Sequence, residues 1–372
     1  MTGATLIAIF CGIVLYSMRG SIDKPVDYWL RAVIEAGQII SIPMIAGALL
    51  FCVQHIALRH VVALACIGIC LDTLLVRSGF GFEEYWKYGL GVGISGLVLS
   101  LCSKRTRPVQ IITACCLGVV SAFLDTRNLF GILVISATLF LIARFLRSGQ
   151  LTKLRILGVM ALSVVAAWVL TQLLANALVS GIFGSAIAER QAIQQGQSGV
   201  LGGRVEGGAF FSLFIENPFG FGFAQIPTRE NVLVGKAGMR ALGSGAGGSY
   251  VDRTMFGGRV ELHSIASDLW VAMGLVGLAL AIYMLMVIGR ALLLTIIVGK
   301  SALPLASIYL LTQGIWDVLF SPLYANYTYF GVSLGVALVC LVDGRPQAGK
   351  DAAIKANRAS GNKTFASIGR RS

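Results

Sequence analysis

"SIASDLWVAMGLVGLALAIYMLMVIG", residues 264–289, is apolar over almost its whole length. A helix rises 1.5 Å per residue, so about twenty such residues cross the ~30 Å hydrocarbon core of a bilayer. Runs of the same kind recur at 3–18, 34–54, 57–76, 88–102, 109–124, 129–147, 154–178, 302–320 and 326–342. The whole chain agrees with them. Its 372 residues are 56% hydrophobic and only 13% charged, with a mean hydropathy of +0.81, whereas soluble domains carry about 25% charged residues. Barrel strands would alternate apolar and polar residues over about ten positions, and these runs are continuous. The expected fold is all-α: a polytopic membrane helical bundle of about ten transmembrane helices, with one long external loop carrying short amphipathic helices. The first run lacks a basic leader and "YSMRG" is a poor cleavage site, so it is read as a helix and not as a signal peptide.

Lysine and arginine bias sets the orientation. With the N-terminus cytoplasmic, the inner loops hold ten basic residues and the tail after Asp343 adds seven, against six in the short outer loops (Arg19, Lys24, Arg31, Arg77, Lys87, Arg127). Both termini are then cytoplasmic. The chain divides into N-terminal membrane helices over 1–178, an external (periplasmic) segment over 179–263, C-terminal membrane helices over 264–343, and a basic, disordered tail over 344–372. Much of the net charge of +13 sits in that tail. It is read as a topology signal with attraction to anionic lipid, not as a nucleic-acid surface.

Several motifs carry no chemistry. "GVGISG", Gly91 to Gly96, matches the letters of a dinucleotide fingerprint, but it lies inside an apolar run with no strand before it. Small residues there let membrane helices approach closely. His55 and His60 flank a turn between runs two and three. The eight cysteines all fall in or at the edges of the runs, without disulfide or zinc spacing. No cofactor and no metal are expected.

The segment "GGRVEGGAFFSLFIENPFGFGF", residues 202–223, departs from this pattern. Residues 204–216 have amphipathic spacing through Phe210, Phe211, Phe214 and Ile215, predicting a short helix on the membrane surface that ends at Asn217-Pro218. Three polar residues stand out by position. Arg127 follows Asp125-Thr126, which look like a helix N-cap; Arg204 opens the amphipathic helix; and His263 directly precedes an apolar run. Arginine suits a diphosphate because its planar fork makes paired hydrogen bonds. Histidine accepts a proton near neutral pH. Each also has a plain structural reading: a snorkelling arginine, an anchoring helix, a capping histidine.

From Arg204 onward the chain resembles the O-antigen ligase and polysaccharide polymerase superfamily of bacterial envelope proteins. That family has an arginine opening an external helix, a proline about fourteen residues on, and a G-x-G turn; the matches here are Arg204, Pro218 and Gly220-Phe221-Gly222. It then has a histidine before a helix ending in G-hydrophobic-hydrophobic-G, matched by "HSIASDLWVAMGLVG" with His263, Gly274 and Gly277. "LDTRNLFGILVIS" resembles the family's upstream arginine-bearing helix start, with Arg127 as the match. The resemblance covers residues 120–340. Two departures are visible: Ser264 stands where the family usually has asparagine, and the family commonly has more spans.

The resemblance implies an inverting, metal-independent glycosyl transfer at the outer face of the cytoplasmic membrane. The donor would be an undecaprenyl-diphosphate-linked glycan and the acceptor a glycan or lipid-linked hydroxyl. His263 would be the base, Arg204 would serve both catalysis and diphosphate binding, and Arg127 would bind the diphosphate. The alternatives are a polysaccharide or lipid transporter (flippase), which would use intramembrane charges such as Glu35, Asp72 and Asp317, and a non-catalytic envelope assembly factor.

Overall fold

A computed structural model describes residues 2–18, 28–76, 81–147, 176, 180–181, 206–243, 251–299 and 301–343. The predicted seventh run, Arg204 and the tail lie outside the described residues. Helices α1 (Thr2–Met18), α2 (Tyr28–Cys52) and α3 (Leu58–Val76) open the chain. A short α4 (Phe82–Tyr85) leads through a π turn into α5 (Gly91–Leu101), followed by α6 (Arg107–Phe123) and α7 (Arg127–Arg147). The segment before the C-terminal helices contains α8 (Glu206–Glu216) and α9 (Arg229–Ala241); then come α10 (Ile265–Ile297), α11 (Pro304–Phe320) and α12 (Leu323–Asp343). No strand occurs among the described residues.

Among the described residues, five helical segments are long and apolar enough to cross a membrane: Trp29–Cys52, Leu58–Val76, Arg127–Arg144, Ile265–Ile297 and Leu323–Val342. This is fewer than the ten expected from the apolar runs. The seventh run lies outside the described residues, and the remaining difference is one of length. The fourth run forms a helix of 11 residues behind a kinked π turn, and the ninth one of 17. Outward faces remain apolar, as at Leu6, Phe10, Met44 and Leu75.

Small residues set the helix spacing. Gly93 and Gly96 of α5 press against the Cys66 and Cys70 face of α3, so "GVGISG" is packing surface, as expected. The turns join helix ends that meet at one end of the bundle. There the C-terminal half of α1 meets Phe223, Glu35 near the start of α2 meets Ala224, and Asp72 of α3 lies 3.4 Å from Thr328 of α12.

Residues 206–243 and 251–262 fold back onto that same end around a core of their own. Trp270, fully buried in the first turns of α10, stands at its centre. The rings of Phe210, Phe214 and Phe221 lie 5.3, 5.5 and 5.6 Å from it, and its indole N–H donates to Pro218 O at 3.0 Å. The predicted surface helix is thus α8, stopped at Asn217-Pro218. It buries Ala209 and Leu213 and leaves Phe211 and Ile215 exposed. Thr228 caps α9 by accepting from Asn231 N–H at 3.2 Å.

The "FGF" turn is built into a break in α10. Gly274 has φ +63 and ψ −149, which interrupts the helical ladder. The carbonyl of Val271 accepts instead from the N–H groups of Phe221 (2.8 Å) and Gly222 (2.9 Å). Gly220 has φ +77 and lies against Gly274; a Cβ on either would collide with the other's segment. Both glycines are required, one for conformation at the break and one for close approach.

Gly220→Ala and Gly274→Ala should therefore each destabilise the protein by more than about 1 kcal/mol, since strain at such a backbone position costs about 1–3 kcal/mol. Thermal unfolding in detergent should show lowered midpoints for both. A wild-type midpoint in either would mean that the break is not locked by this contact.

Candidate functional site

In the segment leading into α10, Arg259-Val260-Glu261-Leu262-His263, residues 260–262 belong to no helix or turn. Val260 and Leu262 are buried in the Trp270 core. Arg259 and Glu261 instead meet Glu35 of α2 and each other.

A pocket of about 450 Å³ opens there, lined by Arg31, Glu35, Arg253, Arg259 and Glu261 together with Ile34, Thr254 and the bare backbone of Gly257 and Gly258. Arg259 is its structural hub. Its guanidinium pairs with Glu261 (Nη2–Oε2 2.9 Å, Nε–Oε2 3.0 Å), reaches Glu35 at 3.9 Å and lies 3.8 Å from the centre of the Tyr324 ring. Glu35, only 6% exposed at its side chain, accepts from Ala224 N–H at 2.7 Å. Burial pushes the Arg259 guanidinium toward losing its proton, but Glu261, Tyr324 and Glu35 outweigh it; the net shift is upward and the cation is retained.

A second carboxylate holds the walls. Asp268, fully buried, accepts from Leu262 N–H at 2.8 Å with one oxygen and from Leu323 N–H at 2.9 Å with the other. It thereby ties the residue before His263 to the residue before Tyr324, across the pocket from α2.

His263 itself is half-buried and has φ +55, the left-handed region. Non-glycine residues there are uncommon and cluster at functional sites. The helix-capping role considered for His263 belongs to its neighbour. Ser264 is the N-cap of α10, accepting from Ser267 N–H at 3.4 Å while donating to Val318 O at 2.9 Å. Serine is among the strongly preferred N-cap residues.

Arg127 is not among the residues lining this pocket. It opens α7, where Nε and Nη2 both donate to Asp125 Oδ1 at 3.2 Å. Asp125 stands at φ +50 in the turn, and the Thr126 hydroxyl donates to Leu124 O at 3.0 Å. Arg204 lies outside the described residues. Among the described residues, no group of three or more His, Cys, Asp or Glu side chains is placed to hold a metal ion.

Four residues of the pocket were not singled out from sequence as site residues: Arg31, Arg253, Arg259 and Glu261. Arg31 counted there only as a topology charge and Glu35 only as an intramembrane carboxylate. Their separation by one helical turn places both on one face of α2, which was the available signal. The alternation of charge with apolar residues over 259–263 was the other. No protein-family model, curated protein or solved structure matches the chain.

Replacing Asp268 by alanine would leave the amides of Leu262 and Leu323 buried without their acceptor, at about 1–3 kcal/mol each. Asp268→Ala should unfold at markedly lower temperature than wild type, and protease cleavage in the 251–263 segment should accelerate. Unchanged stability and cleavage would show that the two amides are satisfied by other means.

Proposed function

We propose that the protein transfers a glycan from an undecaprenyl-diphosphate-linked donor to an acceptor hydroxyl, as an O-antigen ligase or polysaccharide polymerase does. The reading places a ten-span chain in the bacterial cytoplasmic membrane, with residues 179–263 on the outer face and both termini inside. The supporting observation is the mixed-charge pocket at the end of an apolar bundle, two residues along the chain from a histidine held in a left-handed turn. Such a pocket suits hydroxyl-rich ligands.

In this mechanism His263 takes the proton of the acceptor hydroxyl as that oxygen attacks the anomeric carbon. The bond from that carbon to the diphosphate breaks, and undecaprenyl diphosphate leaves with the electron pair, inverting the configuration. Arg127 and Arg204 stabilise the developing negative charge; a well-placed donor of this kind is worth about 3–4 kcal/mol. Engagement of the donor would require Arg127 to exchange Asp125 for phosphate oxygens.

A transporter reading draws on the broken helix α10 and the buried Asp268. Both features are satisfied internally, however: the Val271 carbonyl by Phe221 and Gly222, and Asp268 by two backbone amides. Neither supplies open ligands for a transported ion.

The deciding measurement is transfer from purified undecaprenyl-diphosphate glycan to its acceptor, normalised to folded protein. His263→Asn should lower turnover by about 100- to 10,000-fold, the usual effect of losing a general base. Arg127→Ala and Arg204→Ala should also abolish transfer, with poor rescue by lysine. Should the asparagine variant keep more than about a tenth of wild-type turnover, outside the range for a lost base, His263 is not the base.

A further inference from the structure

We propose that the pocket between α2 and residues 253–261 is a subsite for one acidic sugar, a pyranose ring bearing a carboxylate or a phosphate monoester. The inference rests on the glycosyl-transfer reading and specifies the charge class of the glycan handled.

The argument begins with how the five charged groups are paired. Glu35 and Glu261 both lie against Arg259, so two carboxylates share one guanidinium. That trio carries a net charge of −1 and forms one wall. Arg31 and Arg253 line the same pocket, and no carboxylate among the described residues pairs with either. Among the described residues Arg31 makes only a long 3.4 Å bond to Gly258 O. Two guanidiniums of the described lining are thus left to face a ligand, and that lining sums to +1.

That balance selects the ligand. A neutral sugar would leave both guanidiniums without an anionic partner. A diphosphate would bring at least two negative charges up to Glu35 and Glu261, and like charges at short range are costly. A single carboxylate or phosphate monoester matches the two arginines, for which the planar fork is suited. The ring hydroxyls can then donate to the acceptor-only carboxylates of the opposite wall. The volume, about 450 Å³, lies within the range of small-molecule pockets. Glycines 257 and 258 place no side chain in the opening.

The test uses the full-length protein in nanodiscs of zwitterionic phosphatidylcholine, read by saturation-transfer NMR and titration. The probes are D-glucuronate, D-glucose 6-phosphate, D-glucose and inorganic phosphate. Glucuronate and glucose 6-phosphate should bind at least tenfold more tightly than glucose and than inorganic phosphate. The Arg31→Gln, Arg253→Gln double variant should lose that preference at an unchanged melting temperature, because both side chains are exposed. A double variant that melts early is replaced by the corresponding lysine pair, which should retain a weakened preference for the charged sugars.

Equal binding of glucose, or a charge preference that survives the double variant, overturns the proposal. So does inorganic phosphate binding as well as the sugar acids, which would mark a plain anion site. Loss of glucuronate binding in phosphatidylglycerol nanodiscs would assign the pocket to lipid headgroups and also overturn it. Because binding is measured without turnover, failure of glycosyl transfer leaves this result standing, and transfer without acidic-sugar binding removes only the subsite.

Discussion

The carbonyl of Val271 is the point on which this architecture depends. In a continuous helix it would accept from the amide one turn on, but Gly274 turns the backbone away. Inside an apolar bundle an unsatisfied carbonyl costs several kcal/mol. The amides of Phe221 and Gly222 occupy it instead. One break in one helix therefore recruits a segment some fifty residues upstream. It also places Trp270 among three phenylalanine rings and fixes where residues 206–243 and 251–262 sit on the bundle.

Everything polar at that end is arranged from this junction outward. Ala224, immediately after the docked turn, donates to Glu35, so the same strand that plugs the helix break also orients a carboxylate of α2. Asp268, three residues before Val271, anchors Leu262 and Leu323. Arg259 then bridges α2 and α12 through Glu35 and the Tyr324 ring. A buried charge is tolerated at the edge of an apolar bundle only when it is paired. These pairings make α2 and residues 253–261 the walls of one pocket and tie it to α12. Arg31 and Arg253 line the same pocket, with no carboxylate among the described residues paired to either.

Much of the helical framework was legible without coordinates. Continuous apolar runs admit helix and little else in a bilayer, and the run beginning at 264 became a helix that continues to Ile297. Asn217-Pro218 stopped α8 where proline sterics predict. The glycines of "GVGISG" became packing surface because no strand precedes them to make a phosphate cradle. Run length was a weaker guide to membrane crossing. The fourth run bends at Gly89, and a kink interior to an apolar stretch leaves no mark in hydropathy.

His263 stood out in the sequence because it is an isolated titratable side chain at the edge of an apolar run, a property of neighbours along the chain. That Ser264 and not His263 caps α10 depends on backbone angles, which the residue names do not record. The pocket was hidden for a related reason. Arg31 and Glu35 are separated from Arg259 by more than two hundred positions, and each alone reads as a topology charge or a stray carboxylate. The sequence by itself determined where helices form, because that follows from local periodicity and the cost of bare backbone in hydrocarbon. Which charges meet was decided only by the tertiary structure, since a helix broken at Gly274 and a turn docked into it bring remote side chains within ion-pairing range.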